Sequence, residues 1–415
     1  MWIVFERVLR LSDLFFFRQI CYFGNIVQSE ILLLSLFFYE RVMAILELEQ
    51  IEKLTNFEAW WDRLLSGSLD NNPFVTYDWM ASWWKHFGKG RELKFFTAES
   101  LGSVSLIIPV MYSKYEVFGL KRRKATFACA PDSDYQVFLA TDFQRAAKDL
   151  DQLVESIMED SNPDCIVFQD VPEGSITARL LENIKQDDFI VSSRIINSCP
   201  YIPLSSTYES YFQSLSRLMR RNLRVCERDA MRDFKVDFLK YDHLETMEEA
   251  MTILFELHQK RQVDVGNFGV FSNDIERNFH VDLAKAFAEK GWLALFFLTF
   301  DDKTVSSVYC FEYNGKLYVY LSGFDPMYAK YRPGYLIYKD IIKYAFRRNL
   351  KEVDFLRGDE EYKSRWGTQV RKNLEFRIEK RNLRGRFYNW TANSKSFSYL
   401  YRGFPRDFSQ NFKRL

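Results

Sequence analysis

Between Tyr318 and Thr368 the chain reads YVYLSGFDPMYAKYRPGYLIYKDIIKYAFRRNLKEVDFLRGDEEYKSRWGT, a strand, a turn, a helix, a second strand and a charged loop in close succession. Arg332, Pro333 and Gly334 stand where that helix begins. The first N–H groups of a helix lack intrahelical partners and its macrodipole favours an anion there, so a ligand with a phosphorylated, nucleotide-like tail is the first expectation. Proline after arginine also opens helices that bind nothing, because its fixed φ suits the first turn. The surest local feature lies just upstream. Asn314-Gly315 between alternating strands supplies the positive φ angles of a type I′ turn and so predicts an antiparallel hairpin.

The chain has 415 residues, too many for one ordinary core, which predicts two domains. Lys and Arg number 57 against 56 Asp and Glu, a net charge of +1 that argues against a nucleic-acid coat or an acidic-tail binder. The six cysteines (Cys21, Cys129, Cys165, Cys199, Cys226, Cys310) form no CxxC pair and have no histidine at ligand spacing, so neither a metal site nor a disulfide framework is expected, and a reducing, cytoplasmic setting suits them.

Residues 1–42 are apolar in bursts that Arg18, Gln19, Glu30 and Glu40 interrupt, so no run reaches the length of an integral membrane span and no signal-peptide pattern is complete. From Met43 the pattern becomes an alternating strand and then an amphipathic helix, which reads as the start of a folded domain and makes Met43 the expected natural start. Residues 1–42 are thus an atypical N-terminal extension, followed by one α/β unit at 43–196, a second at 197–385 and a basic, aromatic tail at 386–415. In the first unit, strands are expected near 93–98, 104–112, 125–129 and 165–169, with helices at 77–87 and 143–158. In the second, a helix dense in arginine opens the series, followed by a strand at 235–238, helices at 244–261 and 275–289, strands at 293–300, 305–313 and 316–322, a helix at 334–347 and a strand at 352–357.

An ordered set of motifs spans residues 208–367: RLMRRNLR (217–224), LHQKRQ (257–262), GVFSN (269–273) with NFH (278–280), GFDP (323–326), RPG (332–334) and DFLRGDEEYKSRWG (354–367). In this order they resemble the acetyltransferase-like domain of CelD/BcsL-type, polysaccharide-associated proteins, a branch of the GNAT superfamily similar to the FemABX aminoacyl transferases. NPFVTYDWMASWWKHFG (72–88) resembles the start of such proteins. The resemblance implies a mixed α/β fold of tandem GNAT-like units, each with a central mixed, partly splayed sheet flanked by helices. It implies an N-acyltransferase that moves an acyl group from acyl-CoA, acetyl-CoA first, to an amine of a cell-envelope or exopolysaccharide precursor, with no metal. The splayed strands would be 317–322 and 353–356. The RPG sequence departs from the glycine-rich phosphate loop usual in GNAT proteins, and YKSRWG is similar to a FemABX segment. Two alternatives follow: a FemABX-like transferase that takes its acyl group from aminoacyl-tRNA, and a non-catalytic scaffold of a polysaccharide machine.

Donor binding falls by this resemblance to Ser322, Gly323, Arg332, Gly334 and Tyr335. His258 and His280 lie in matched motifs, and a group that titrates near neutrality suits a general base, though either histidine serves equally as a hydrogen-bonded structural residue. Tyr362 and Lys363 follow a strand end at the mouth of the implied cleft, one to protonate a leaving thiolate, the other to hold a phosphate or carboxylate. Arg217, Arg221 and Arg224 belong to a basic helical stripe that reads as a solvated face or as a contact for a phosphorylated donor or an anionic acceptor, and Asp359 and Glu361 join them as substrate-binding candidates. Trp79, Trp83 and Trp84 read as core or as a platform for a sugar ring.

Overall fold

The computed structural model describes residues 42–47, 55–100, 103–117, 120–130, 132–185, 188–241, 243–267 and 269–381. The expected extension, apart from Val42, and the expected tail lie outside them, and Met43 is the second residue of the first strand. The strands are β1 (Val42–Glu47), β2 (Glu92–Ser100), β3 (Ser103–Val117), β4 (Leu120–Phe127), β5 (Leu139–Ala140), β6 (Cys165–Pro172), β7 (Phe189–Pro203), β8 (Val236–Tyr241), β9 (Leu293–Phe300), β10 (Lys303–Tyr313), β11 (Lys316–Phe324), β12 (Glu352–Asp354) and β13 (Gln369–Lys380). The α-helices are α1 (Thr55–Gly67), α2 (Tyr77–Phe87), α3 (Phe143–Asp160), α4 (Ile176–Glu182), α5 (Tyr208–Ser214), α6 (Arg217–Asp233), α7 (Met247–Asp264), α8 (Asp274–Glu289), α9 (Pro333–Arg347) and α10 (Glu361–Ser364).

The strands form one mixed sheet in the order β1-β2-β3-β4-β6-β13-β7-β12-β11-β10-β9-β8, with β5 on β3. This order is nearly the same read from either end. Each half contributes an antiparallel run, then a parallel pair, and the two halves meet at β13 and β7. Both joining strands cross over. β13, the last strand among the described residues, pairs with β6 of the first half, and β7, which ends the first half, pairs with β12 of the second. The region near residue 197 is therefore a strand, and the arginine-rich helix, α6, begins only at Arg217.

Burial explains why β9 reads LALFFLTF without polar alternation. Ala294, Phe296 and Leu298 face the core beneath α6 and α9, while Leu293, Leu295 and Phe297 face the core beneath α7 and α8. A strand covered on both faces has no solvent side to mark with polar residues. The second of these cores is shared between halves: Trp79 of α2 meets Phe279 and Phe287 of α8 and Phe311 of β10 edge-on or tilted, with centroids 5.7, 6.5 and 5.9 Å apart. Trp79 and Trp83 are fully buried. This corrects the platform reading, because side chains that seal two halves together have no face left for a sugar.

The parallel pairs diverge after a few residues. In the first half β4 and β6 pair only over 124–126 and 165–167. The gap beyond is filled by the chain itself: the Gln136 N–H donates to Asp170 O (2.9 Å), its side chain donates to Ala128 O (3.2 Å), and Tyr135, Val137 and Phe138 are buried. In the second half β11 and β12 pair over 316–318 and 352–354 and then separate. That gap stays open, and it falls on the strands the sequence motifs mark.

Candidate active site

β11 loses β12 as a partner after Tyr318, so its main-chain edge from there to Phe324 faces a cavity of about 810 Å³. A bulge opposite Tyr309 and Cys310 takes Tyr320 out of register with β10 and bends the strand at this point. The cavity passes between the sheet's two covers. Val308, Val319 and Ile337 line it on the α9 side, His258, Arg261 and Gln262 on the α7 side.

His258 is the buried titratable group of the α7 wall. Its Nδ1 lies 2.9 Å from Ser322 O, and because a carbonyl only accepts, Nδ1 carries the proton and Nε2 carries the lone pair. Nε2 is buried and makes no hydrogen bond. Burial pushes the imidazole's pKa down, against the smaller opposing effect of the carbonyl, so the ring is neutral near pH 7. Gly323 allows this approach: a Cβ there would sit 2.2 Å from His258 N and 2.4 Å from Leu257 C. Both obstacles are main chain and neither can swing aside. Gly323→Ala is therefore expected to force α7 away from β11 at a cost of about 1–3 kcal/mol, as overpacking does, read as a lower urea midpoint with an unchanged slope.

Facing His258 across the strand is a hydroxyl cluster. The Tyr338 hydroxyl donates to Ser322 Oγ (3.1 Å) and is hydrogen-bonded to the hydroxyl of Tyr362, whose ring lies 5.8 Å from that of Tyr338 at an interplanar angle of 25°. Burial holds both phenols protonated, with Tyr338 pushed up to about 12 and Tyr362 held well above its usual value. Ser322, Tyr338 and Tyr362 all line the cavity.

The amino end of α9 forms the mouth. Arg332 caps it in the left-handed region (φ 52°), Pro333 has no N–H, and the Tyr335 and Leu336 N–H groups both reach Arg332 O, at 2.9 and 3.4 Å. Of the first turn this leaves the Gly334 N–H, where an added Cβ would meet nothing within 4 Å. The remaining positive charge comes from side chains. The Arg332 guanidinium stands 5.9 Å from the Tyr335 ring, Arg365 donates to the Tyr335 hydroxyl (2.7 Å) and to Glu361 (2.9 Å), and Arg261 lies over Phe324. An anionic tail fits here, held mainly by arginine forks rather than by the main-chain cradle a helix start usually supplies.

The structure thus brings His258, Ser322, Gly323, Arg332, Gly334, Tyr335, Tyr362 and Lys363 to one cavity. Lys363 is buried and tied to its own loop, donating to Arg357 O (2.9 Å) and paired with Glu360 (2.9 Å), which makes it a support of the cavity wall. His280 is not brought there. It is buried among Phe271, Phe279, Tyr309 and Tyr320 on the core side of α8, a place that suits a structural ring. Arg217, Arg221 and Arg224 are exposed along α6, where only Asn222 among their neighbours lines the cavity, and Asp359 and Glu361 are exposed outside it. Tyr338, Arg261 and Arg365 went unassigned in the sequence. Tyr338 had a signal, since it stands four residues after Gly334 and so shares its helix face.

Residues 217–364 match the sequence family described as an acetyltransferase (GNAT) domain. No curated protein matches the chain in sequence. Among solved structures it is similar to FemX at a TM-score of 0.58 and 13% identity, covering 80% of this chain and 98% of that one. It is also similar to L-PGS from Bacillus licheniformis (TM-score 0.49, 8% identity, 86% and 97% covered) and to a tandem GNAT protein from the clavulanic acid biosynthesis pathway (0.45, 9%, 81% and 98%). The fold is the GNAT type, in two like halves. Among the described residues there is no group of side chains that could hold a metal ion, and no helix long and apolar enough to cross a membrane.

Proposed function

We propose that this chain, whose residues 217–364 match an acetyltransferase (GNAT) domain family, is an N-acyltransferase that moves an acyl group from an acyl-CoA thioester to an amine. The observation that carries the reading is the open splay of β11 and β12, with a neutral, buried His258 on one wall and arginines at the α9 mouth. The donor's phosphates would lie against Arg332, Arg365 and the Gly334 N–H, and its acyl-bearing arm would run along the unpaired edge of β11. The acceptor amine would enter from the α7 side and give up its proton to His258 Nε2, while the departing thiolate takes a proton from the hydroxyl cluster of Ser322, Tyr338 and Tyr362. Most of the acceleration would come from holding amine and thioester in contact and from main-chain N–H groups that polarise the carbonyl. An amine on a cell-envelope or exopolysaccharide precursor is the acceptor to screen first, on the strength of the motifs alone. The protein would then act in the cytoplasm, where acyl-CoA is made.

Calorimetric titration of acetyl-CoA and of a longer acyl-CoA into wild type and into an Arg332→Ala/Arg365→Ala variant tests this. Binding that weakens about tenfold or more for each charged hydrogen bond removed is expected. No binding by folded wild type would sink the thioester reading. One observation favours a second reading: α6 carries Arg217, Arg221 and Arg224 exposed beyond the mouth, a surface longer than a coenzyme's phosphates require and suited to aminoacyl-tRNA. Donor use abolished by ribonuclease would select it.

A further inference from the structure

The hydrogen-bond order of the hydroxyl cluster says which oxygen can release a proton into the cavity. A phenol has one hydrogen, and that of Tyr338 is committed to Ser322 Oγ at 3.1 Å. Its bond with Tyr362 must therefore be accepted by Tyr338, so the Tyr362 hydrogen points along the chain of oxygens and away from a ligand. The direction is Tyr362 to Tyr338 to Ser322. Only the last member has a hydrogen left to give, and Ser322 sits on the unpaired edge of β11, where it also holds His258 through its main-chain oxygen.

On the transfer reading given above, we propose that Ser322 is the catalytic residue that protonates the leaving group, with Tyr338 and Tyr362 as positioning residues that refill it. As the amine nitrogen bonds to the acyl carbon and the carbon–sulfur bond breaks, the pair of electrons left on sulfur takes the Ser322 Oγ hydrogen. Ser322 regains one from Tyr338, Tyr338 from Tyr362, and Tyr362 from water. The amine's proton passes to His258 Nε2. The count balances, one proton taken up on sulfur and one released from nitrogen, and the same relay serves an oxygen leaving group. A single residue thus fixes the base by its carbonyl and supplies the acid by its side chain, which keeps the two proton transfers on opposite sides of one strand.

The test compares donors that differ in their need for a proton. Wild type, Ser322→Ala and Tyr338→Phe are assayed with acetyl-CoA and with an acetyl aryl thioester, whose thiolate leaves without protonation. Ser322→Ala is expected to lose about 10²-fold on acetyl-CoA, in keeping with removal of a general acid, but less than about tenfold on the aryl thioester. Tyr338→Phe, which keeps the serine and breaks its supply, is expected to show the same donor dependence with a smaller loss. Equal losses on both donors would overturn the relay and leave the transferase reading standing. Folded wild type that turns over neither donor would overturn both.

Discussion

Arg357→Met is expected to remove about 3–5 kcal/mol of stability, the cost of leaving buried carboxylates without their cation. Arg357 is almost fully enclosed and bridges the halves. Its Nε lies 2.5 Å from Asp134 and its Nη1 2.7 Å from Asp170, both in the first half, while Arg357 follows β12 of the second. Asn197 of β7 and Asn373 of β13 complete the shell around Asp170, at 2.6 and 3.2 Å. Methionine fills the space and supplies no charge, so the loss is electrostatic rather than a cavity effect. Its pH dependence has a definite sign. Burial raises the Asp170 pKa against the pull of Arg357, so the folded state binds this proton more tightly than the unfolded chain does. A raised acid contributes most favourably below its unfolded value, and that contribution fades as pH rises through the folded one. Without Arg357 the folded value rises further, so the deficit of the variant should be small near pH 4–5 and grow toward neutrality. Urea unfolding at pH 5 and pH 7.5 reads this directly. Equal deficits at both, or a loss below about 1 kcal/mol, would rule out a charge-compensating role.

His258→Gln is expected to lower the rate of acyl transfer by about 10²- to 10⁴-fold, the range that removal of a general base produces. Glutamine keeps a donor for Ser322 O but has no lone pair of comparable basicity at the Nε2 position. Binding of an acyl-CoA, proposed above to rest on Arg332 and Arg365, should change little, so the loss should fall on kcat rather than on KM. The acid limb of the wild-type rate profile should lie below pH 6.5, because burial lowers the imidazole's pKa and the ring acts only when neutral. The glutamine variant should lack that limb. A variant that keeps full activity, or a wild-type limb at or above 6.5, would remove His258 from the chemistry and leave it as the hydrogen-bonded prop that fixes α7 to β11.

Much of the fold was legible because it is written locally. The hairpin of β10 and β11 follows from Asn314-Gly315, whose φ angles are 48° and 73°. Apolar periodicity marks α2 and α3, and the RPG segment marks the start of α9. The joining strands were not legible. β7 reads FIVSSRIINSCPYIP and β13 reads QVRKNLEFRIEK, without a consistent apolar face, because polar residues at their inner positions are satisfied by partners far away in sequence. Asn373 donates to Asp134 O at 2.7 Å, and Glu375 accepts from Gln169 and Arg194, both at 2.9 Å. In a window of a dozen residues such strands look like polar loops.

The site divides along the same line. The candidate groups can be read from local patterns: a helix start with arginine at its mouth, a histidine on each of the two helices before it, and a tyrosine after the following strand. Each depends on neighbours within a few residues, where spacing along the chain is also spacing in space. Which of His258 and His280 lines the open cavity depends on how α7 and α8 pack, since both lie in equally promising motifs. The one sits where Gly323 lets α7 touch the open edge of β11, and the other where α8 closes on the aromatic core. The splay of the second half falls where the motifs put it, but that the matching gap in the first half is filled shows only in the packing. A cavity exists only where no segment of the chain returns to fill it, and whether one returns is settled by the packing of residues such as Tyr135 and Gln136 against strands their own sequence does not mention.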